Sequence, residues 1–356
     1  MAGASSARLD WYAATAGQNG YALLNGLPVP IPWVYAVGDT LCLYPIAYAA
    51  RAKAAGAGAL PSDVAIVRAV VDDYVLRYPM RLADGTYSRP IDWWSAGFFS
   101  WDSRAGARPL GRHAVSRDIL FLFCLFCVFG RAVWVDDAYM GTGAAVAAAA
   151  LTGNVSYAVF AAQQALLFDG HLRDPADGLY YHGLDNDTGV HSCCKWGRGN
   201  GWALVAAAEA LGALTDCAPG HPLLAPLRAA FVAHAAGVLA VQSPDGRWHQ
   251  LLDAPTSFLE TSATAMFVTA FIEGMARGWL DEAVYAAPTA AAATALLAQV
   301  SPSGVVFGVV GETGIGDSPF DYNPASAAYE ASAPGLGAVL RALAAIARWP
   351  GAAGVR

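Results

Sequence analysis

Apolar and small residues recur at helical spacing along most of this chain, at about Trp33–Ala55, Asp63–Tyr78, Ala138–Leu151, Val155–His171, Gly199–Leu214, Leu223–Val241, Ser262–Arg277, Asp281–Gln299 and Ala325–Ala345. A short punctuation falls between them: Asp84-Gly-Thr-Tyr87, Asp177-Gly-Leu-Tyr180 and Asp245-Gly-Arg-Trp248, with a weakened copy at Ser303-Gly-Val-Val-Phe307. Asp followed by Gly at the end of a periodic stretch predicts a turn. In the second half of the chain these turns lie about 60 to 70 residues apart, the spacing of a repeated helical hairpin. Six such hairpins use the whole length. The pattern therefore predicts an all-α (α/α)6 barrel, a six-hairpin toroid, as a single domain over residues 1–356. Its inner helices would line an axial core, and its long loops at one end would build a site. An open helical solenoid is the structural alternative.

One interval breaks the rhythm, because the first two turns stand about 25 to 30 residues farther apart than the others. The excess lies near residues 102–130. There Arg104-Ala-Gly-Ala-Arg-Pro-Leu-Gly-Arg-His113 is followed by an aromatic run, Phe121 to Phe129, with neither helical amphipathicity nor strand alternation. It reads as an insertion, of the kind a translated non-coding segment would leave.

Composition supports the helical reading and narrows the partners. Ala makes up about a fifth of the chain and favours helix. With 56% apolar and 14% charged residues, the 356-residue chain can bury a large core. Mean hydropathy is +0.38, yet the longest unbroken apolar run, Ile119 to Phe129, is far shorter than the ~20 residues a spanning helix needs. No membrane partner is expected. The formal charge of −7 lacks the broad basic footprint of a nucleic-acid binder, so an acidic ligand would need a local basic pocket. Arg8 and Asp10 precede no apolar block, which predicts no secretory leader and favours an intracellular protein. The six cysteines do not form the framework of a small secreted domain. Cys124-x-x-Cys127 has no second pair at metal spacing, and adjacent Cys193 and Cys194 read as buried or half-buried free thiols.

Two segments carry most of the chemistry. Trp134-Val-Asp-Asp-Ala-Tyr-Met140 sets adjacent carboxylates, Asp136 and Asp137, at a helix start among aromatic residues. They point about 100° apart, so one can face a cavity while the other caps amides. A carboxylate amid Trp and Tyr suits a general acid, although simple capping would explain the pair as well. Trp196-Gly-Arg-Gly-Asn-Gly-Trp202 offers two indole faces for sugar rings, a planar Arg198 fork for a carboxylate, and glycines that let backbone approach a ligand. His182 follows a turn upstream of this loop. Glu260-Thr-Ser-Ala-Thr-Ala-Met266 and Gly38-Asp-Thr40 read as ordinary helix starts.

Together these segments resemble glycoside hydrolase family 105, the unsaturated rhamnogalacturonyl hydrolases, and more distantly the unsaturated glucuronyl hydrolases. Tyr181-His-Gly-Leu-Asp185 belongs to the same set of matches, and the pieces run in the family's order over most of the chain. The resemblance implies an (α/α)6 fold and an enzyme that hydrates the C4=C5 double bond of a terminal unsaturated uronic acid left by a polysaccharide lyase. It implies Asp136 as general acid and then base, Asp39 as the second active-site carboxylate, and His182, Trp196, Arg198, Asn200, Trp202, Asp137 and Met140 around the sugar. Trp196 would stack on the unsaturated ring and Arg198 would bind its carboxylate. No metal or organic cofactor is implied; the partner is a small acidic oligosaccharide from pectin or a related polymer. Two other readings are a catalytically silent carbohydrate-binding toroid, motivated by the 102–130 segment, and another (α/α)6 glycosidase or epimerase.

Overall fold

A computed structural model describes residues 131–311, 313–322 and 333–354, together with 21–24, 27–30, 82–87, 89–90 and single positions between 64 and 72. Asp39, the Trp33–Ala55 stretch and the 102–130 segment lie outside the described residues. An antiparallel hairpin joins β1 (Tyr21–Leu24) to β2 (Leu27–Pro30). Short strands β3 (Arg89–Pro90) and β4 (Arg131–Trp134) precede α1 (Asp137–Thr152) and α2 (Val155–Leu172). Then follow β5 (Gly183–Asp185), β6 (Val190–His191), α3 (Gly197–Cys217), α4 (Leu224–Ala240), β7 (Trp248–His249), β8 (Leu259–Glu260), α5 (Thr261–Ala276), α6 (Glu282–Leu297) and α7 (Ala333–Ile346). Helices α1 to α6 begin and end within about three residues of the boundaries read from periodicity.

The helices alternate between two layers. Helices α1, α3, α5 and α7 pack on one another in turn, while α2, α4 and α6 lie outside them. Burial follows the same division: α3 and α5 bury almost their whole circumference, whereas α4 and α6 bury one stripe each. An inner helix must be apolar or small on nearly every side, as the sequences of α3 and α5 are beyond their first turns. This inner–outer alternation is that of the six-hairpin toroid.

The repeated turns explain how each outer-to-inner connection is made. Gly85, Gly178, Gly246 and Gly304 all adopt left-handed backbone, with φ between 77° and 94°, a region that glycine enters without a Cβ penalty. In the three full copies, the Asp side chain accepts the amide two residues on, at 2.9 to 3.0 Å. The aromatic residue that follows is then driven inward: Tyr87, Tyr180 and Trp248 are all buried. In the fourth copy the register is the same, but the inward position is held by a valine and the aromatic follows one residue later. Val306 is buried and Phe307 is 45% exposed.

A four-stranded antiparallel sheet, β3-β4-β5-β6, sits at the loop end of the bundle and was not foreseen in the sequence. Its strands are too short to leave a period-two signal. The pairing of Arg89 with Ala132 brings the flanks of the 102–130 segment together. No helix among the described residues is long and apolar enough to cross a membrane.

Candidate active site

Asp136 and His182 meet because of strand register. In the β4–β5 ladder Trp134 lies opposite Gly183, and the Val135 amide donates to the His182 carbonyl at 2.9 Å. One residue beyond Val135, Asp136 Oδ2 stands 3.4 Å from His182 Nε2. Asp136 occupies the N-cap position of α1 with helical dihedrals, φ −58° and ψ −39°, but its side chain makes no capping hydrogen bond. The carboxylate is aimed across the site instead, with its side chain 18% exposed. Of the two adjacent carboxylates, the structure thus directs Asp136 at the histidine and buries Asp137 in the first helical turn.

His182 is fully buried, boxed by Trp134, Trp196 and Tyr322 at ring separations of 5.7, 4.6 and 5.5 Å. Its Nδ1 lies 2.8 Å from the hydroxyl of Tyr322, which also accepts the Gly316 amide at 3.2 Å. Burial pushes the Tyr322 phenol well above its ordinary value, so the group remains O–H at any working pH. The two ring nitrogens of His182 thus face different groups, Nδ1 the Tyr322 hydroxyl and Nε2 the Asp136 carboxylate. Tyr322 stands at the end of a 3-10 turn, Pro319–Tyr322, held by Asp321 Oδ2, which accepts the Asp317 and Ser318 amides at 3.1 and 3.0 Å. Sequence reasoning missed this tyrosine: it lies 140 residues from His182 and in no recognisable motif.

The Trp-Gly-Arg-Gly-Asn-Gly-Trp loop plays a different part from the one its composition suggests. It is the first turn of α3, and its glycines serve packing between elements. A Cβ on Gly199 would lie 2.4 Å from Val135 Cγ1, and one on Gly201 would lie 2.8 Å from Met266 Cβ on α5. These glycines let the α3 backbone approach Val135, which follows β4, and Met266 of α5. Trp196 is 2% exposed, with His182 on its ring and the Arg198 guanidinium 4.8 Å from the ring centroid. It backs the site and does not offer a free face to a sugar. Arg198 is 3% exposed and donates to the carbonyls of Val310, at 2.7 Å, and Gly311. In this conformation it ties the 308–311 loop to α3 and does not open onto a cleft.

Asn200 is likewise internal. Its Oδ1 accepts the Tyr180 amide at 2.8 Å and lies 3.1 Å from His234 Nε2, while Nδ2 donates to the Tyr180 and Trp196 carbonyls, both at 2.9 Å. These bonds fix the Tyr180 backbone, two residues before His182. His182 is fully buried in this arrangement and stands against Asp136. Trp202 is half-buried and lies against Tyr139, with ring centroids 4.8 Å apart, beside half-buried Met140. These three remain on the wall of the inner ring.

Two further contacts frame the site. Glu260 is fully buried and caps α5, accepting the Ala263 amide at 2.6 Å and the Val310 amide at 3.0 Å, as its helix-start pattern predicted. Lys195 Nζ joins Asp174 and Asp177 at 2.7 and 2.5 Å. The hydrogen bond from Lys195 holds the Asp174 carboxyl well below the usual carboxylate range. Cys193 and Cys194 are joined by a disulfide, which corrects their reading as free thiols. Among the described residues no group of three or more His, Cys, Asp or Glu is placed to hold a metal ion.

A carboxylate, an imidazole and a phenol thus converge at the end of a helical toroid where α1 begins. Residues 123–349 match the family described as Glycosyl Hydrolase Family 88, and the chain belongs to that family. Over 109 residues it is 37% identical to the unsaturated rhamnogalacturonyl hydrolase YesR of Bacillus subtilis, a match covering 30% of this chain and 31% of YesR. The aligned part thus spans about a third of that relative. A possible member of family GH105 from Salmonella enterica superposes with a TM-score of 0.56 at 19% identity, over 96% of this chain and 93% of that one. The unsaturated glucuronyl hydrolase of Bacillus sp. GL1 superposes with a TM-score of 0.56 at 17% identity, over 87% of this chain and 76% of that one. These likenesses establish the toroid.

Proposed function

We propose that the chain hydrates the C4=C5 double bond of a terminal unsaturated uronic acid, releasing the neighbouring sugar from a pectin- or rhamnogalacturonan-derived oligosaccharide. The observation that carries the reading is the Asp136–His182–Tyr322 line, in which one partly exposed carboxylate faces a buried, hydrogen-bonded imidazole. Family membership and the name of the YesR relative supply the substrate class.

In this reading Asp136 gives a proton to C4 as water approaches C5. The resulting carboxylate takes a proton from that water, and the hemiketal formed at C5 opens to a keto acid and a free sugar. One carboxylate acts as acid and then as base, so no second carboxylate at glycosidase spacing is required. His182 Nε2–H is directed at Oδ2 of Asp136, which leaves the mobile proton to Oδ1. Tyr322 fixes the imidazole tautomer through Nδ1. Trp202, Tyr139 and Met140 supply a wall for the sugar, while Trp196, Arg198 and Asn200 hold the reacting pair from behind. Asp39 stays as the proposed second carboxylate, and residues 1–356 as one catalytic domain.

The test is direct. Purified full-length protein is incubated with the unsaturated disaccharide from rhamnogalacturonan, and the ultraviolet absorbance of the conjugated C4=C5 bond is followed. Loss of absorbance with release of the neutral sugar supports the reading. Stable absorbance from folded protein refutes it.

A further inference from the structure

The disulfide between Cys193 and Cys194 touches both sides of the His182–Tyr322 contact. On one side the Cys194 carbonyl accepts the His182 amide at 3.2 Å. On the other, Cys193 Sγ lies 3.5 Å from the carbonyl of Gly316, the residue whose amide donates to the Tyr322 hydroxyl at 3.2 Å. The bridge closes a small ring around the 193–194 peptide bond, so the direction of the Cys194 carbonyl is coupled to the sulfur pair. Cys194 is buried and Cys193 is exposed, which leaves one sulfur open to attack by an incoming thiolate. The strand carrying His182 and the loop carrying Gly316 therefore meet at one bond that a thiol can break.

We propose that the Cys193–Cys194 disulfide is a positioning element for His182, and that its reduction by a dithiol slows the reaction. The inference rests on the proposed roles of Asp136 and His182. In the reduction a dithiol attacks Cys193 Sγ, the S–S bond breaks, and two electrons and two protons convert the pair to thiols. The reductant closes its own disulfide. Freed from the ring, the Cys194 carbonyl is no longer confined to one direction toward the His182 amide, and Cys193 Sγ can leave its contact with the Gly316 carbonyl. A small displacement of His182 from Asp136 suffices to lower the rate of proton transfer.

Three measurements on the full chain test this. Alkylation without prior reduction, followed by trypsin, yields the peptide Asp174–Lys195, which contains no other cysteine. The expected peptide is unlabelled and lighter by two hydrogens than its dithiothreitol-treated form; labelling of both cysteines in never-reduced protein overturns the proposal. In the absorbance assay, dithiothreitol is expected to lower kcat about tenfold with KM nearly unchanged, reversibly on reoxidation. The Cys193→Ser/Cys194→Ser variant should start at the reduced rate and ignore the reductant, whereas Cys217→Ser should respond like the parent. A double variant that still responds to reductant, or a parent rate indifferent to conversion of the peptide, overturns it. The third readout needs no turnover: the His182 imidazole resonance, assigned by its loss in His182→Gln, is expected to shift on reduction. An unmoved resonance refutes the positioning role even if the hydration reading itself has failed.

Discussion

The two ends of the inner ring are built from the same helices and use charge in opposite ways. At the N-terminal end Asp136, Asp137 and Glu260 stand at the starts of α1 and α5, where the helix dipole favours negative charge. At the C-terminal end a cavity of 560 Å³ is lined by Glu209, Asp216, Glu273, Arg277, Arg341 and Arg348. There Arg277 pairs with Asp216 at 2.6 Å and with Glu273 at 2.9 Å, and Arg341 pairs with Glu209. Those ion pairs are half-open to solvent. At the other end Glu260 is buried and hydrogen-bonded to backbone, and the largely buried Asp136 carboxylate is held against His182, so each is confined more closely. A charge that must meet a substrate in a fixed orientation needs the second arrangement. A charge that only keeps helix ends soluble is served by the first.

Substitutions at the two ends should therefore differ by orders of magnitude. Asp136→Asn is expected to leave folding intact and to lower kcat by at least about a thousandfold, because the amide neither gives nor regains the proton. Initial rates of absorbance loss beside a thermal melt check both halves of the statement. Tyr322→Phe keeps the ring and loses the hydroxyl that sets the His182 tautomer, with an expected fall in kcat of about 10- to 100-fold and little change in KM. An effect confined to KM would move Tyr322 from positioning to substrate binding.

Stability provides the next contrast. Asn200→Ala leaves the Tyr180 amide and carbonyl and His234 Nε2 without their partner inside the core, at a cost of about 2–4 kcal/mol in urea unfolding. His234 links this network to pH. Burial lowers its pKa from 6.5 to about 3, so it is neutral in the folded protein. In the unfolded chain it protonates below its ordinary value. Between these two pKa values unfolding takes up a proton, and stability is lost as pH falls. His234→Phe should flatten that part of the profile. Smallest of all, Arg277→Ala at the far end is expected to cost less than about 1 kcal/mol and to leave kcat unchanged, since its partners are solvent-exposed. A kcat effect there would erase the distinction between the two ends.

The sequence by itself determined the repeating unit. Helical period, the Asp-Gly turns and the abundance of Ala depend on neighbours along the chain, and they fixed the described helices and the toroid. They also marked Asp136, because a carboxylate between aromatics at a helix start is a local feature. Only the tertiary structure decided which groups act together. The β4–β5 register brought His182 to Asp136, and a turn far along the chain delivered Tyr322 to the other face of the imidazole. The same packing turned Trp196, Arg198 and Asn200 inward, although their residue types suggest ligand contacts. Residue type states which bonds a side chain is able to make; which partner receives them depends on elements distant in sequence, where no local spacing carries the information.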